Sequence, residues 1–254
     1  GAAASPGPSL PAGWRWESYR DVEVGVPGTW GYAPPLTGRR MEHGRNYVAL
    51  MPAGAGPVRS GHQRSVLIPN TISKVVIRAG DPLRAQIAAT VHRITEADAN
   101  GCAVHHPIAE QPTWRPTPVD IATLTGIDAL RACRYTTLDP AADAGPTVSL
   151  YSSLLLRDDV ARGVVAAIAA APAGTGPNIR PCSSENVGEW IVVQGLRGST
   201  VVGDVVVRYA GCRRNGFDDG VTLRKLTPTP EIQQLFARSN RPISYLGSTG
   251  IRKD

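Results

Sequence analysis

At 254 residues the chain exceeds one average domain, so two modules or one large one can each bury a core. Its 42% hydrophobic content holds no apolar run of the ~18 residues that a membrane-spanning helix needs, which excludes such a span from the sequence as given. The charge of +6 and pI near 9.4 admit an anionic partner such as teichoic acid, lipid headgroups or nucleic acid. However, the basic residues are almost all arginine, in the manner of a GC-rich genome, and they cluster only as pairs such as Arg39-Arg40 and Arg213-Arg214. Such scatter predicts a solvated basic surface, with no nucleic-acid groove.

In chain order, residues 1–13 are small, uncharged and proline-rich, as in a linker after a removed signal peptide or an anchor upstream of Gly1. Trp14 to Tyr19 alternates aromatic and polar residues, and Val22, Val24 and Val26 alternate with Glu23 and Gly25, so the period of two predicts two strands and a turn. From Thr29 to Gly61 the Gly/Pro-rich sequence predicts long loops around one strand at Tyr47–Met51. Ser65–Ile68 and Lys74–Arg78 read as strands. Asp81 and Pro82 open a helix whose stripe is Leu83, Ile87, Val91 and Ile94, ending at Asn100-Gly101. Residues 103–119 are a proline-rich loop; strands are predicted at Ala129–Tyr135 and Thr147–Leu156.

A capped helix follows, with Asp158-Asp159, Val160, Val164 and Ile168 before its stop at Pro172. Glu189–Gln194 and Thr200–Tyr209 form a hairpin around a loop of five residues, Gly195–Ser199. Phe217–Gly220 is a tight turn into Val221–Leu223. Thr229-Pro230 starts a last short helix carrying Ile232, Leu235 and Phe236, and residues 241–254 are a tail.

The four cysteines, Cys102, Cys133, Cys182 and Cys212, contain no Cys-x-x-Cys pair and suit no zinc ribbon, so two disulfides and an oxidising compartment are expected. Pairing Cys102 with Cys133 and Cys182 with Cys212 ties the loop after each helix to a nearby strand. The predicted fold class is α+β: two small antiparallel-sheet modules, residues 14–126 and 127–240, each with a packed helix and disulfide-stapled.

Trp14–Tyr19 with Val24-Gly25-Val26-Pro27 and Trp30-Gly31, together with Ala132-Cys133-Arg134-Tyr135 and Gly211–Gly216, resembles exported or membrane-anchored cell-envelope proteins of actinobacteria. That resemblance implies an extracellular or cell-surface location and supplies no catalytic residue, because those proteins carry no assigned activity.

Searching the residues for chemistry leaves no catalytic, cofactor-binding or metal set. His105-His106 beside Cys102 are adjacent and diverge, and no acidic cluster completes a site. No Gly-x-Ser-x-Gly elbow is present, although His43, His62 and His92 leave a serine triad open. No phosphate loop opens a helix, and Asn215, Asp218 and Asp219 fall short of a calcium loop. Trp14, Trp16, Tyr19, Trp30 and Tyr32 are a candidate platform for stacking on sugar rings, against their reading as core. The expected function is a non-catalytic cell-envelope domain binding an envelope protein or wall polysaccharide; the alternative is an exported hydrolase with an unrecognised Ser/His/Asp-type site.

Overall fold

The structure is a computed structural model that describes residues 9–33, 38–55, 63–69, 71–137, 149–178 and 188–236. The tail expected at 241–254 and most of the expected N-terminal linker lie outside those residues, as does Cys182. The described residues are mostly antiparallel sheet with few helices. They divide into two compact units: the first gathers Ala2–His106 and Asp139–Ser153, the second Pro107–Leu138 and Leu154–Asp254. Cys102 and Cys133 form a disulfide, and both are buried.

The first unit opens on a hairpin of β1 (Trp14–Tyr19) and β2 (Val22–Pro27), in register from Trp14 against Pro27 to Tyr19 against Val22. Two residues turn it, and Arg20 supplies the left-handed φ of 55° such a turn demands. Asp21 then ties the turn down by accepting from the Ile72 amide and the Ser73 hydroxyl. β8 (His92–Arg93) pairs with β2 and completes this three-stranded sheet.

The rest of the first unit is built on β3 (Gly31–Ala33), β4 (Arg39–His43), β5 (Asn46–Pro52), β6 (Gln63–Leu67) and β7 (Ser73–Arg78), which form a five-stranded sheet in the order β3-β4-β5-β7-β6. The long loops expected between Thr29 and Gly61 are therefore corrected: β3 and β4 form a meander with β5. The cause is that β4 turns Met41 inward together with the charged Arg39, so no apolar period is written there. Val22, Val24, Val26, Val48, Leu50, Val75 and Ile77 make the core with Tyr19, Met41 and Tyr151.

Helix α1 (Leu83–Ala88) corrects a second expectation. Its N-cap is Pro82, without a side-chain cap bond, and the helix ends long before Ile94. Thr90 ends it, because its hydroxyl donates to the Ile87 carbonyl and accepts the Gly25 amide, committing the chain to pair with β2. Val91 and Ile94 pack from extended backbone, which a helical stripe cannot distinguish.

Gly38 permits the approach of β4 to β5. Its φ is +74°, and a β-carbon there would lie 1.9 Å from the Leu50 carbonyl oxygen. Gly38→Ala should therefore cost the ~1–3 kcal/mol of a strained backbone, with the clash in addition. Thermal unfolding of the variant checks this as a lowered Tm.

In the second unit, β9 (Ala129–Thr136), β10 (Leu150–Arg157), β11 (Glu189–Arg197), β12 (Thr200–Arg208), β13 (Gly216–Asp218) and β14 (Leu223–Arg224) lie in the order β10-β9-β11-β12-β13-β14, with the first half of β10 counted in the other unit. The β11–β12 loop is two residues, not five: Gly195 and Leu196 remain paired through a β-bulge, and Gly198 (φ 58°) and Ser199 make the turn. Short helix α2 (Pro107–Glu110) precedes these strands, within the segment expected to be loop throughout. Helix α3 (Asp158–Ala170) lays Ala161, Val164, Val165 and Ile168 on Leu130, Ile191, Val193, Val205 and Val207. Its N-cap is Arg157 with no side-chain cap bond, so the acidic pair acts from the first turn through the helix dipole. Helix α4 (Pro230–Gln233) completes the unit, capped by the Thr229 hydroxyl on the Ile232 amide.

Candidate functional site

The strongest candidate lies in the second unit, where β12, β13 and the loop between them meet the proline-rich segment before β9. A cavity of about 480 Å³ opens there, lined by Arg115, Arg208, Arg213 and Arg214, by the carboxylates of Glu189 and Asp218, and by Trp190 and Leu223. Four arginines thus share the lining with Asp218 and with Glu189, whose side chain is itself buried.

Asp218 is committed to holding the others in place. It accepts from Arg115 Nε at 3.0 Å and Nη2 at 2.9 Å, from Arg208 Nη1 at 3.1 Å and from the Gly220 amide at 2.9 Å. Burial alone would raise this carboxyl, but the Arg115 bond, the Gly220 amide and Arg208 outweigh it and keep the group below the usual carboxylate range. Arg208 also donates to the Trp114 carbonyl at 2.6 Å, which fixes the segment that carries Arg115.

The loop presenting Arg213 and Arg214 is braced by the fully buried Asn215. Its carbonyl oxygen accepts the Gly211 amide, and its side-chain nitrogen donates to the Gly211 and Pro177 carbonyls. Arg214 adopts φ 57°, and Cys212 in the same loop is disulfide-bonded. Two exposed cations therefore stand on a pre-formed turn.

One residue further on from Asp218, Asp219 is occupied by structure. It accepts the amides of Ile121, Val221 and Thr222 and a guanidinium N–H of Arg224. The calcium reading of Asn215, Asp218 and Asp219 fails on the same bonds, since every acceptor named is already engaged with an amide or guanidinium. Among the described residues no three His, Cys, Asp or Glu side chains converge as a metal site requires.

The tryptophan and tyrosine candidates are dispersed between core and surface. Tyr19 and Trp30 are buried in the first unit, Trp14 and Tyr32 are half-buried against the same core, and Trp16 sets its ring edge-on to His92 at 5.2 Å. Tyr32 donates its hydroxyl to Glu17. The five rings do not present one exposed face.

His92 contacts Glu23 at 2.8 Å and the Thr90 carbonyl at 3.0 Å; the Glu23 bond holds its imidazole above the ordinary value despite burial. His43 and His105 are exposed, and burial pushes His106 down to about 4. His62 lies outside the described residues. Arg115 and Arg208, 93 positions apart, carry no signal in the sequence, where only Arg213-Arg214 stands out as a pair.

No family model, no curated protein and no solved structure matches the chain.

Proposed function

We propose that the chain is a non-catalytic binding domain of the cell envelope, exported and built as two β-rich modules with disulfide-bonded cysteines, and that the arginine-lined cavity of its second unit holds an anionic group of an envelope component. The observation that carries this reading is the arrangement of the cations: Arg115 and Arg208 are locked by Asp218, while Arg213 and Arg214 stand on a braced turn. Charge fixed in advance costs little ordering on binding. A paired-carboxylate hydrolase at this cavity is disfavoured, because that mechanism needs one carboxyl held protonated. Here the Arg115 and Arg208 guanidiniums keep Asp218 below the usual carboxylate range. The buried disulfide of Cys102 fits an oxidising compartment, and no described helix is long and apolar enough to cross a membrane.

Binding to poly(glycerol phosphate) and to polygalacturonate, followed by calorimetry with neutral dextran as the control, tests this. The double variant Arg213→Glu/Arg214→Glu should weaken binding of the preferred polymer by about tenfold or more, and added salt should weaken the wild type, with Tm unchanged. Equal affinity for dextran, or full binding by the double variant, refutes the reading.

A further inference from the structure

A second polar cluster lies inside the first unit. Ser18 on β1, Glu23 on β2 and Asp98 in the turn after β8 are all fully buried. The Ser18 hydroxyl stands 2.6 Å from Asp98 Oδ2 and 3.3 Å from Glu23 Oε2. A hydroxyl carries one proton. It can donate to one of these oxygens, and the other approach is favourable only if a carboxyl keeps its own proton. Two bare carboxylates on one buried hydroxyl would repel instead.

The surroundings identify the turn that depends on that proton. Asp98 Oδ1 accepts the amides of Asn100 and Cys102, the Asp98 amide donates to the Cys102 carbonyl, and Glu23 Oε2 accepts the Ala99 amide. From β10, Ser153 bonds Asp98 and accepts from the Asn100 side chain. From β8, His92 lies 2.8 Å from Glu23 Oε1. The charge acting on Asp98 is that of Glu23, and the histidine compensates only the far oxygen of that partner.

We propose that Ser18, Glu23 and Asp98 form a proton-operated latch that holds the Asp98–Cys102 turn on β1 and β2 in an acidic medium and loosens it as the medium becomes neutral. Burial first, and then the Glu23 charge, push the Asp98 carboxyl up to about 6. A folded-state value raised above the ordinary ~4 gives stability that is complete below that ordinary value and is lost as pH rises through about 6. His92 is raised as well, chiefly by Glu23, so its contribution is also present in acid and lost as pH rises. Both groups therefore act with one sign: at low pH imidazolium faces Glu23 and Asp98 is neutral, and at higher pH two carboxylates face each other through Ser18. The latch is independent of the arginine cavity and stands whether or not that cavity binds.

Carbon-detected NMR titration of the Asp98 carboxyl in the full chain, with amide hydrogen exchange at Ala99, Asn100 and Cys102, reads the latch directly. The carboxyl should titrate near 6, and protection of the three amides, corrected for intrinsic base catalysis, should fall about tenfold or more between roughly pH 5 and 7.5. Asp98→Asn, neutral at every pH, should abolish the fall, and His92→Gln should leave the Asp98 part of it in place. A carboxyl titrating near the ordinary ~4 overturns the proposal. Protection independent of pH, or an Asp98→Asn protein with the wild-type profile, does so equally. If that variant does not fold, the wild-type carboxyl titration decides the matter by itself.

Discussion

Arg39→Leu is expected to cost about 3 to 5 kcal/mol of folding stability, the range for stranding one partner of a buried ion pair. Arg39 is wholly buried, donating Nη2 to Glu17 Oε2 at 2.6 Å and Nη1 to the Ser18 carbonyl at 2.7 Å. Burial alone would raise the Glu17 carboxyl, but the guanidiniums of Arg39 and Arg15 overcome it and hold the group below its ordinary value. A depressed folded-state value gives stability that is present above the ordinary carboxylate range and lost as pH falls through the depressed one. Without Arg39, Glu17 must be buried as an anion with less compensation or take up a proton. The variant's deficit, measured by urea unfolding, should therefore be largest near neutrality and shrink below about pH 4. The double variant Glu17→Met/Arg39→Leu should recover part of the loss, because the buried anion goes with its partner, while Arg15 loses its carboxylate. A deficit below about 1 kcal/mol at neutral pH would show that the pair is weakly coupled to folding.

Asp219→Ala should cost a similar amount, about 3 to 5 kcal/mol, by a different route. The Asp219 side chain is 1% exposed and accepts from three amides, Ile121, Val221 and Thr222, and from Arg224 Nη1 at 3.0 Å. Alanine strands those donors together; losing a single neutral bond would cost only about 1 kcal/mol. Burial would raise the carboxyl, and the amides and Arg224 outweigh it, so the group sits low. Its contribution is present above the ordinary carboxylate range and disappears as pH falls, so wild type and variant should converge in acid. Chemical unfolding of the two proteins across that pH range checks the amount and the convergence.

Sequence pattern locates the elements whose side chains follow a single period. β1, β2 and β9 are written as alternation, β7 and the β11–β12 pair as short apolar runs, and α3 as a stripe with a proline stop. Pattern misleads where the inward residues are charged. β4 buries Arg39 beside Met41, and β1 buries Glu17 and Ser18, so polarity along these strands does not report the face. The α1 stripe over-extends because Val91 and Ile94 continue a helical spacing in extended chain, after the Thr90 hydroxyl has turned to Gly25. Cys102–Cys133 is readable from spacing and context. The cavity is not, since Arg115 and Arg208 converge only through Asp218, a pairing between remote positions that linear order does not contain.

The first unit is not a continuous stretch of chain, and this sets an order of events during synthesis. Its core includes Tyr151, whose hydroxyl reaches the Gly38 carbonyl 113 positions away and whose ring lies edge-on to Tyr19; the Arg20 amide bonds the Leu150 carbonyl. A nascent chain emerging N-terminus first can assemble the β1–β2 hairpin and the five-stranded sheet, yet it leaves the Tyr151 place vacant until about residue 153 has left the ribosome. The intervening residues of the other unit must wait outside that closure, so completion depends on contacts of long sequence separation and is slow by topology. During that interval the apolar place beside Tyr19 that Tyr151 will fill stays open to water.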